Sequence, residues 1–291
     1  MYVDPGCDTV GDDNAKERQY YSGAMRIARF TTDDQPRYGI VELPDDKGAH
    51  PNTISVLDSD PLLGLAAPTG ERLDLAKVRL LAPVYPPTKA ACIGKNYAAH
   101  IEELGGGKQP EEPIVFFKPN TSVIGPGDDI VRPPETQLLH YEGELTIVFG
   151  KKCRRVPAEK AADVIFGYTI ANDVTCRDLQ NKDGQWTRCK SFDTFCPLGP
   201  WIVTDITIDK AGNLNLRTTV NGEVRQDANT NLMLHGIAAL VAHVTAFTTM
   251  YPGDILLTGT PAGIGEIVPG DSVTVSIEGI GELTNPVVQE Q

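Results

Sequence analysis

Short apolar runs, broken again and again by glycine and proline, constrain this chain more than any other feature. It holds 28 Gly and 22 Pro among 291 residues. Each proline removes a backbone donor and each glycine loosens the chain, so little room is left for long helices. Strand-like runs recur instead at 25–30, 38–43, 145–149, 164–171, 201–204, 214–220, 254–258 and 272–277. The dipeptide Asn221-Gly222 is a strong hairpin signal. Helical patterns are confined to the neighbourhoods of 97–104, 157–163 and 232–247. The expected class is therefore α+β and β-rich, a β-sandwich or roll with a few helices.

The chain divides by composition. Residues 1–24 carry Asp4, Asp8, Asp12, Asp13 and Glu17 and lack the apolar centre of a signal peptide. They are expected to form a disordered extension, with Met25 an alternative start. Residues 25–85 read as a small N-terminal α+β domain, with a turn at Asp45, Asp46, Lys47 and Gly48. The proline-rich stretch 82–87 reads as a linker, and 86–291 as a larger, β-rich domain.

Bulk properties narrow the function. A net charge of −13 disfavours nucleic acid or an anionic membrane as partner. No apolar stretch approaches the ~20 residues needed to span a bilayer. The six cysteines form no C-x-x-C pair, as expected of reduced thiols in a cytoplasmic protein. Cys176 and Cys189 read as packing residues.

Chemistry concentrates where Glu142 and Glu144 open the apolar run 145–149. In a strand, side chains at i and i+2 leave the same face. Two neighbouring carboxylates resist burial unless a positive charge sits between them, and a hard divalent cation is the simplest candidate. A solvated strand face is the plain alternative. The buried run 164–171 ends on Asn172-Asp173, and a third carboxylate there could complete an oxygen-rich site. No His or Cys stands nearby with zinc spacing, so Mg²⁺, Mn²⁺ or Ca²⁺ is favoured over zinc or copper.

Several separate stretches then resemble the fumarylacetoacetate hydrolase family, in family order. They are IGKNYAAHIEEL at 93–104, FFKP at 116–119, HYEGEL at 140–145, NDVTCRDLQ at 172–180, WTRCKSFD at 186–193 and LTGTPAGIG at 257–265. The resemblance runs from about Pro86 to the end. It implies a β-roll catalytic domain, often dimeric, so a homodimer is expected. It implies Glu142, Glu144 and Asp173 as ligands of Mg²⁺ or Mn²⁺, and places Lys190 beside the metal. His100 and Glu103, spaced i and i+3, would share a helix face. The family sets such a pair on a mobile lid, with His100 as general base and Glu103 orienting it. The glycines at 105–107 suit a hinge or a plain helix cap equally well. Arg177, Gln180, Thr260 and Gly259 are implied as substrate contacts. Arg177 and Gln180, at i+4 and i+7 from Asp173, would stack with it on a helical turn. Lys118 and Tyr97 read as structural.

Two rivals fail on motif grounds. The loop 259–265 has neither a phosphate-binding nor a dinucleotide pattern, and no G-x-S-x-G elbow offers a serine nucleophile. One departure matters: the long fumarylacetoacetases carry an extra acidic ligand upstream, and Lys95-Asn96-Tyr97 supplies none. The expected function is a divalent-metal enzyme on small 2-oxo acids or their enols. It would break a C–C bond by hydrolysis of an acylpyruvate-like substrate, or by decarboxylation of an oxaloacetate-like one. Isomerisation of the 2-hydroxyhepta-2,4-diene-1,7-dioate type ranks next. A metal-stabilised scaffold without activity is the alternative of another class.

Overall fold

The computed structural model describes residues 25–33, 35–44 and 50–291. The expected extension at 1–24 and the turn at 45–48 lie outside the described residues. Strand dominates the rest. A twelve-stranded sheet runs from Pro68–Asp74 through Thr53–Leu57, Arg37–Glu42, Arg26–Thr31, Cys196–Val203, Ile165–Asn172, Gly143–Phe149, Ile255–Leu257 and Ala90–Gly94 to Ile114–Lys118, with Arg79–Leu81 paired to Arg26–Thr31 and Val123–Ile124 to Cys196–Val203 off this path. A five-stranded sheet is built from Glu223–Asn229, Asn215–Val220, Ser272–Ile277, Gly281–Gln289 and Ile130–Arg132. Thr175–Cys176, Leu139–Tyr141 and Gly265–Glu266 form a third, small sheet.

Alternation along the central strand explains the layering. Leu145, Ile147 and Phe149 enter one buried cluster with Leu216, Val275, Ile277 and Leu283 of the five-stranded sheet. Val148 faces the other way, packing with Cys92, Leu198, Ile255 and Leu257. Because both faces are covered, the strand reads as a continuous apolar run rather than an alternating one. The helix Ile237–Phe247 lays Ile237, Leu240, Val241 and Val244 on the first cluster.

Sequence expectations fare well here. The hairpin at Asn221-Gly222 joins Asn215–Val220 to Glu223–Asn229, with φ of 51° and 81° at its two central residues. Helical segments appear at Ala98–Glu103, at Ala158–Val164 (a 3₁₀ helix) and at Ile237–Phe247, and short helices outside the three expected stretches at Arg177–Asp183, Thr187–Lys190 and Ile208–Ala211. The first strand, Arg26–Thr31, pairs with Cys196–Val203, so the N-terminal strands extend the same sheet as the site. Ala82 and Val84, in the expected linker, are buried in the second cluster. One local expectation changes. Asp173 does not share a helix with Arg177 and Gln180, because the short strand Thr175–Cys176 intervenes and the helix begins at Arg177. No helix among the described residues is long and apolar enough to cross a membrane.

Candidate metal centre and active site

The pairing of two central strands assembles the acids. Gly143 lies opposite Asn172 and Glu144 opposite Ala171, which brings the start of one strand beside the end of the other. Two bonds seal that end: the Asp173 N–H donates to the Glu142 carbonyl at 2.8 Å, and the Glu142 N–H donates to Asn172 Oδ1 at 2.9 Å. Glu142, Glu144 and Asp173 each offer one oxygen, all within 4.8 Å of one another. The three residues are 3%, 1% and 1% exposed, so the solvated-face reading does not hold.

Such a cluster needs positive charge, and the chain supplies part of it. Lys190 Nζ donates to Glu142 Oε2 at 2.8 Å and to Asp173 Oδ2 at 2.6 Å. Lys118 Nζ donates to Asp173 Oδ1 and to the Val174 carbonyl. Arg177 Nη2 donates to Glu142 Oε1. Burial works against charge on Glu142, but Arg177 and Lys190 outweigh it and hold the carboxyl well below its usual range. Burial likewise opposes the Lys190 ammonium, and Asp173 and Glu142 more than restore it, raising its pKa.

Glu144 is different. It accepts the Gly259 N–H at 2.7 Å, and no Lys or Arg among the described residues pairs with it. Burial first, then Asp173 and Glu142, push its carboxyl well above the usual range. A hard divalent cation fits this donor set: it is all oxygen, closely spaced, and leaves one carboxylate short of positive charge.

The remaining expected residues gather round the same place. His100 is buried on the helix Ala98–Glu103, its Nδ1 3.2 Å from Glu103 Oε2. Burial lowers the imidazole pKa, against the pull of Glu142 and Glu103. Glu103 Oε1 also accepts the Gly263 N–H at 2.9 Å, which ties this helix to the 259–265 loop. His100, Glu142, Lys190, Thr260, Arg177 and Gln180 all line one cavity of about 340 Å³. Lys190 lies 5.1 Å from the centre of the Phe116 ring, which shields it further.

All four expected substrate contacts already carry bonds within the protein. The Arg177 fork is spent on Glu142, on Gln180 Oε1 at 2.9 Å and on His140 Nδ1 at 3.3 Å. It is therefore a buried brace of the centre rather than a surface ion pair. The Thr260 hydroxyl donates to the Gly143 carbonyl at 3.0 Å and accepts from Gln226 Nε2 at 2.8 Å. Its proton is thus committed to the backbone. Gly259 has φ of 97°, and a Cβ there would stand 2.7 Å from Asn96 Cβ, so the residue is needed to aim its N–H at Glu144.

Sequence reasoning gave too little weight to Lys118, which touches Asp173, although a lysine closing the apolar run IVFF was a usable signal. It missed His140, whose pKa burial and then Arg177 lower to about 4, keeping Nδ1 a neutral acceptor. It also missed Gln226, which no local pattern in its polar strand marks.

Comparison with known proteins covers both the N-terminal strands and the region of the site. The model of the fumarylacetoacetate (FAA) hydrolase C-terminal family matches residues 89–288, and an N-terminal model described as Rv2993c-like matches 25–83. Protein Rv2993c of Mycobacterium tuberculosis is 49% identical over 267 residues, 91% of this chain and 99% of that one. The mitochondrial oxaloacetate tautomerase Fahd2a of Rattus norvegicus is 44% identical over 221 residues, 73% of this chain and 70% of that protein. Among solved structures, 2-hydroxyhepta-2,4-diene-1,7-dioate isomerase from Mycobacterium marinum is 47% identical, with a TM-score of 0.82 over 91% of this chain and 99% of that one. Maleylpyruvate hydrolase from Sphingobium sp. SYK-6, in complex with manganese(II) and pyruvate, is 32% identical, with a TM-score of 0.73 over 92% of this chain and all of that one. The chain belongs to the fumarylacetoacetate hydrolase family.

Proposed function

We propose that this protein is a divalent-metal-dependent enzyme that moves a proton on the carbon next to the keto group of small 2-oxo acids, interconverting keto and enol forms. The observation that carries the reading is a cavity lined by Glu142, Lys190 and His100, with Glu144 and Asp173 clustered on Glu142 behind it, Lys190 bridging Glu142 and Asp173, and Glu103 bonded to His100. Glu142, Glu144 and Asp173 would hold Mg²⁺ or Mn²⁺, which when bound supplies Lewis-acid stabilisation of negative charge on the substrate oxygens.

The chain's own residues account for the rest. Burial keeps His100 neutral and so ready to accept a proton. Glu103 fixes the ring and stabilises the imidazolium that forms, while its second oxygen stays anchored on Gly263. Lys190 remains an ammonium and supplies fixed positive charge where the enolate oxygen develops. The imidazolium then gives its proton up, to the enolate oxygen for tautomerisation to the enol, or to a conjugated carbon for isomerisation.

Proton transfer takes first place over the sequence-based preference for C–C cleavage because of the relatives. Those named tautomerase and isomerase share 44% and 47% identity with this chain, against 39% and 32% for two named hydrolases. Cleavage stands as a second reading, favoured by the same His100–Glu103 pair, which can take a proton from water as readily as from carbon. Proton NMR of oxaloacetate and of an acylpyruvate, with purified protein and Mg²⁺ present or chelated, tests the choice. Metal-dependent enol–keto exchange without new carbon products supports proton transfer. Metal-dependent release of pyruvate would replace it with hydrolysis or decarboxylation, according to the co-product.

A further inference from the structure

Among the described residues, the cavity carries one cation that the centre does not use. Lys95, Arg177 and Lys190 all line it. Arg177 and Lys190 are bound to Glu142, and Lys190 to Asp173 as well. Lys95 has no ion pair or side-chain hydrogen bond among the described residues.

The backbone that presents Lys95 is held in an uncommon shape. Its φ is 57°, in the left-handed region that favours glycine or asparagine. The residues on either side explain why the conformation persists. A Cβ on Gly94 would stand 2.2 Å from the Trp186 ring, so the indole lies directly on the chain there. Asn96 is clamped by three bonds: its Nδ2 donates to the His235 carbonyl at 3.1 Å and the Thr258 carbonyl at 2.8 Å, and its Oδ1 accepts the His235 N–H at 2.9 Å. A lysine is therefore kept where glycine would fit more easily, half-buried in the cavity wall, with its ammonium unpaired.

We propose that Lys95 receives a second carboxylate, carried at the end of the substrate away from the three acids, and so selects dicarboxylic over monocarboxylic 2-oxo acids. The inference rests on the 2-oxo acid reading above and adds its specificity determinant. One 2-oxo acid end is taken up at the Glu142, Glu144 and Asp173 centre. A diacid then has a free anionic end, and Lys95 is the cavity cation whose charge is not already matched. Positive charge in a partly enclosed wall favours that end and leaves a monocarboxylate with nothing to bind there.

Calorimetric binding to the Mn²⁺-loaded protein tests this without turnover. The probes are pyruvate, which has one carboxylate, and the diacids 2-oxoglutarate and 2-oxoadipate. The variants are Lys95→Gly, which fits the left-handed backbone, Lys95→Met, which keeps the stem, and Lys95→Arg, which keeps the charge. At least one diacid is expected to bind the unmodified protein about tenfold or more tighter than pyruvate, the scale of one charge-assisted hydrogen bond. That advantage should vanish in Lys95→Gly and Lys95→Met and return in part in Lys95→Arg, with pyruvate and Mn²⁺ affinities within about twofold throughout. Diacids no better than pyruvate in the unmodified protein, or an advantage that survives both neutral variants, would overturn the role of Lys95 while leaving the 2-oxo acid reading intact. If none of the three acids binds the Mn²⁺-loaded protein, that reading fails and the inference falls with it.

Discussion

Replacing Gln226 with leucine tests how the two sheets hold the centre. Gln226 is fully buried on Glu223–Asn229, in the five-stranded sheet, yet it spends its amide on the site. Oε1 accepts the N–H of Gly143 at 3.0 Å, the residue between Glu142 and Glu144. Nε2 donates to Thr260 Oγ1 and to the Pro261 carbonyl, both at 2.8 Å. Thr260 follows Gly259, whose N–H holds Glu144. One side chain thus ties the strand bearing two acids to the loop that positions one of them. Leucine nearly conserves the volume and removes all three bonds. Thr260 keeps its own bond to Gly143, so the chief loss is at the Gly143 N–H and the Pro261 carbonyl. At about 1–3 kcal/mol for each of these two buried groups left unsatisfied, the variant should lose roughly 2–6 kcal/mol. Urea denaturation of the metal-free protein reads that loss. Calorimetric titration with Mn²⁺ should show affinity weakened about tenfold or more, the usual effect of removing support from a ligand set. A loss below about 0.5 kcal/mol, together with unchanged Mn²⁺ affinity, would refute the reasoning.

Two further outcomes follow from the electrostatics. Glu144→Gln removes a buried carboxylate whose charged form is costly, so the metal-free variant should be more stable by about 1–3 kcal/mol. At about 100-fold over the dissociation constant, Mn²⁺ should stabilise the unmodified protein by about 2.7 kcal/mol and the variant not at all. Thermal melts with and without Mn²⁺ check both signs, and equal metal-induced shifts would contradict the assignment. The His100 pKa lies below its ordinary 6.5, so the acid limb of kcat/KM should fall below pH 6.5. Protonating this histidine favours the unfolded chain, so its contribution to stability is present above pH 6.5 and declines as pH drops towards the folded-state value. Glu103 raises that pKa, so Glu103→Gln should move the limb to still lower pH while reducing the rate. A limb at or above 6.5 in a pH–rate profile would exclude His100 as the base.

Much of this was legible because local chemistry carried it. The runs at 145–149 and 164–171 announced central strands, and Glu142, Glu144 and Asp173 sat at their ends, where strand pairing brings ends together. Asn221-Gly222 fixed a hairpin, since both positions need positive φ. What stayed hidden depended on contacts distant in sequence. The Lys118 ammonium meets Asp173 across 55 residues, and Gln226 reaches Gly143 across 83. Gln226 has no local period to betray it, and Lys118 shows only its place at the end of the apolar run 114–117. The spacing of Arg177 from Asp173 suggested a shared helical face, but spacing alone cannot show that a strand intervenes. Nor could it show that the guanidinium fork would turn inward to Glu142.

Equilibrium titration of the purified protein with Mn²⁺, followed by electron paramagnetic resonance, reads out whether the three carboxylates hold one divalent cation. One ion should bind per chain, with binding abolished or weakened at least about 100-fold in each of Glu142→Gln, Glu144→Gln and Asp173→Asn. An unmodified protein that binds no Mn²⁺, or three variants that bind it as tightly as the original, would contradict it.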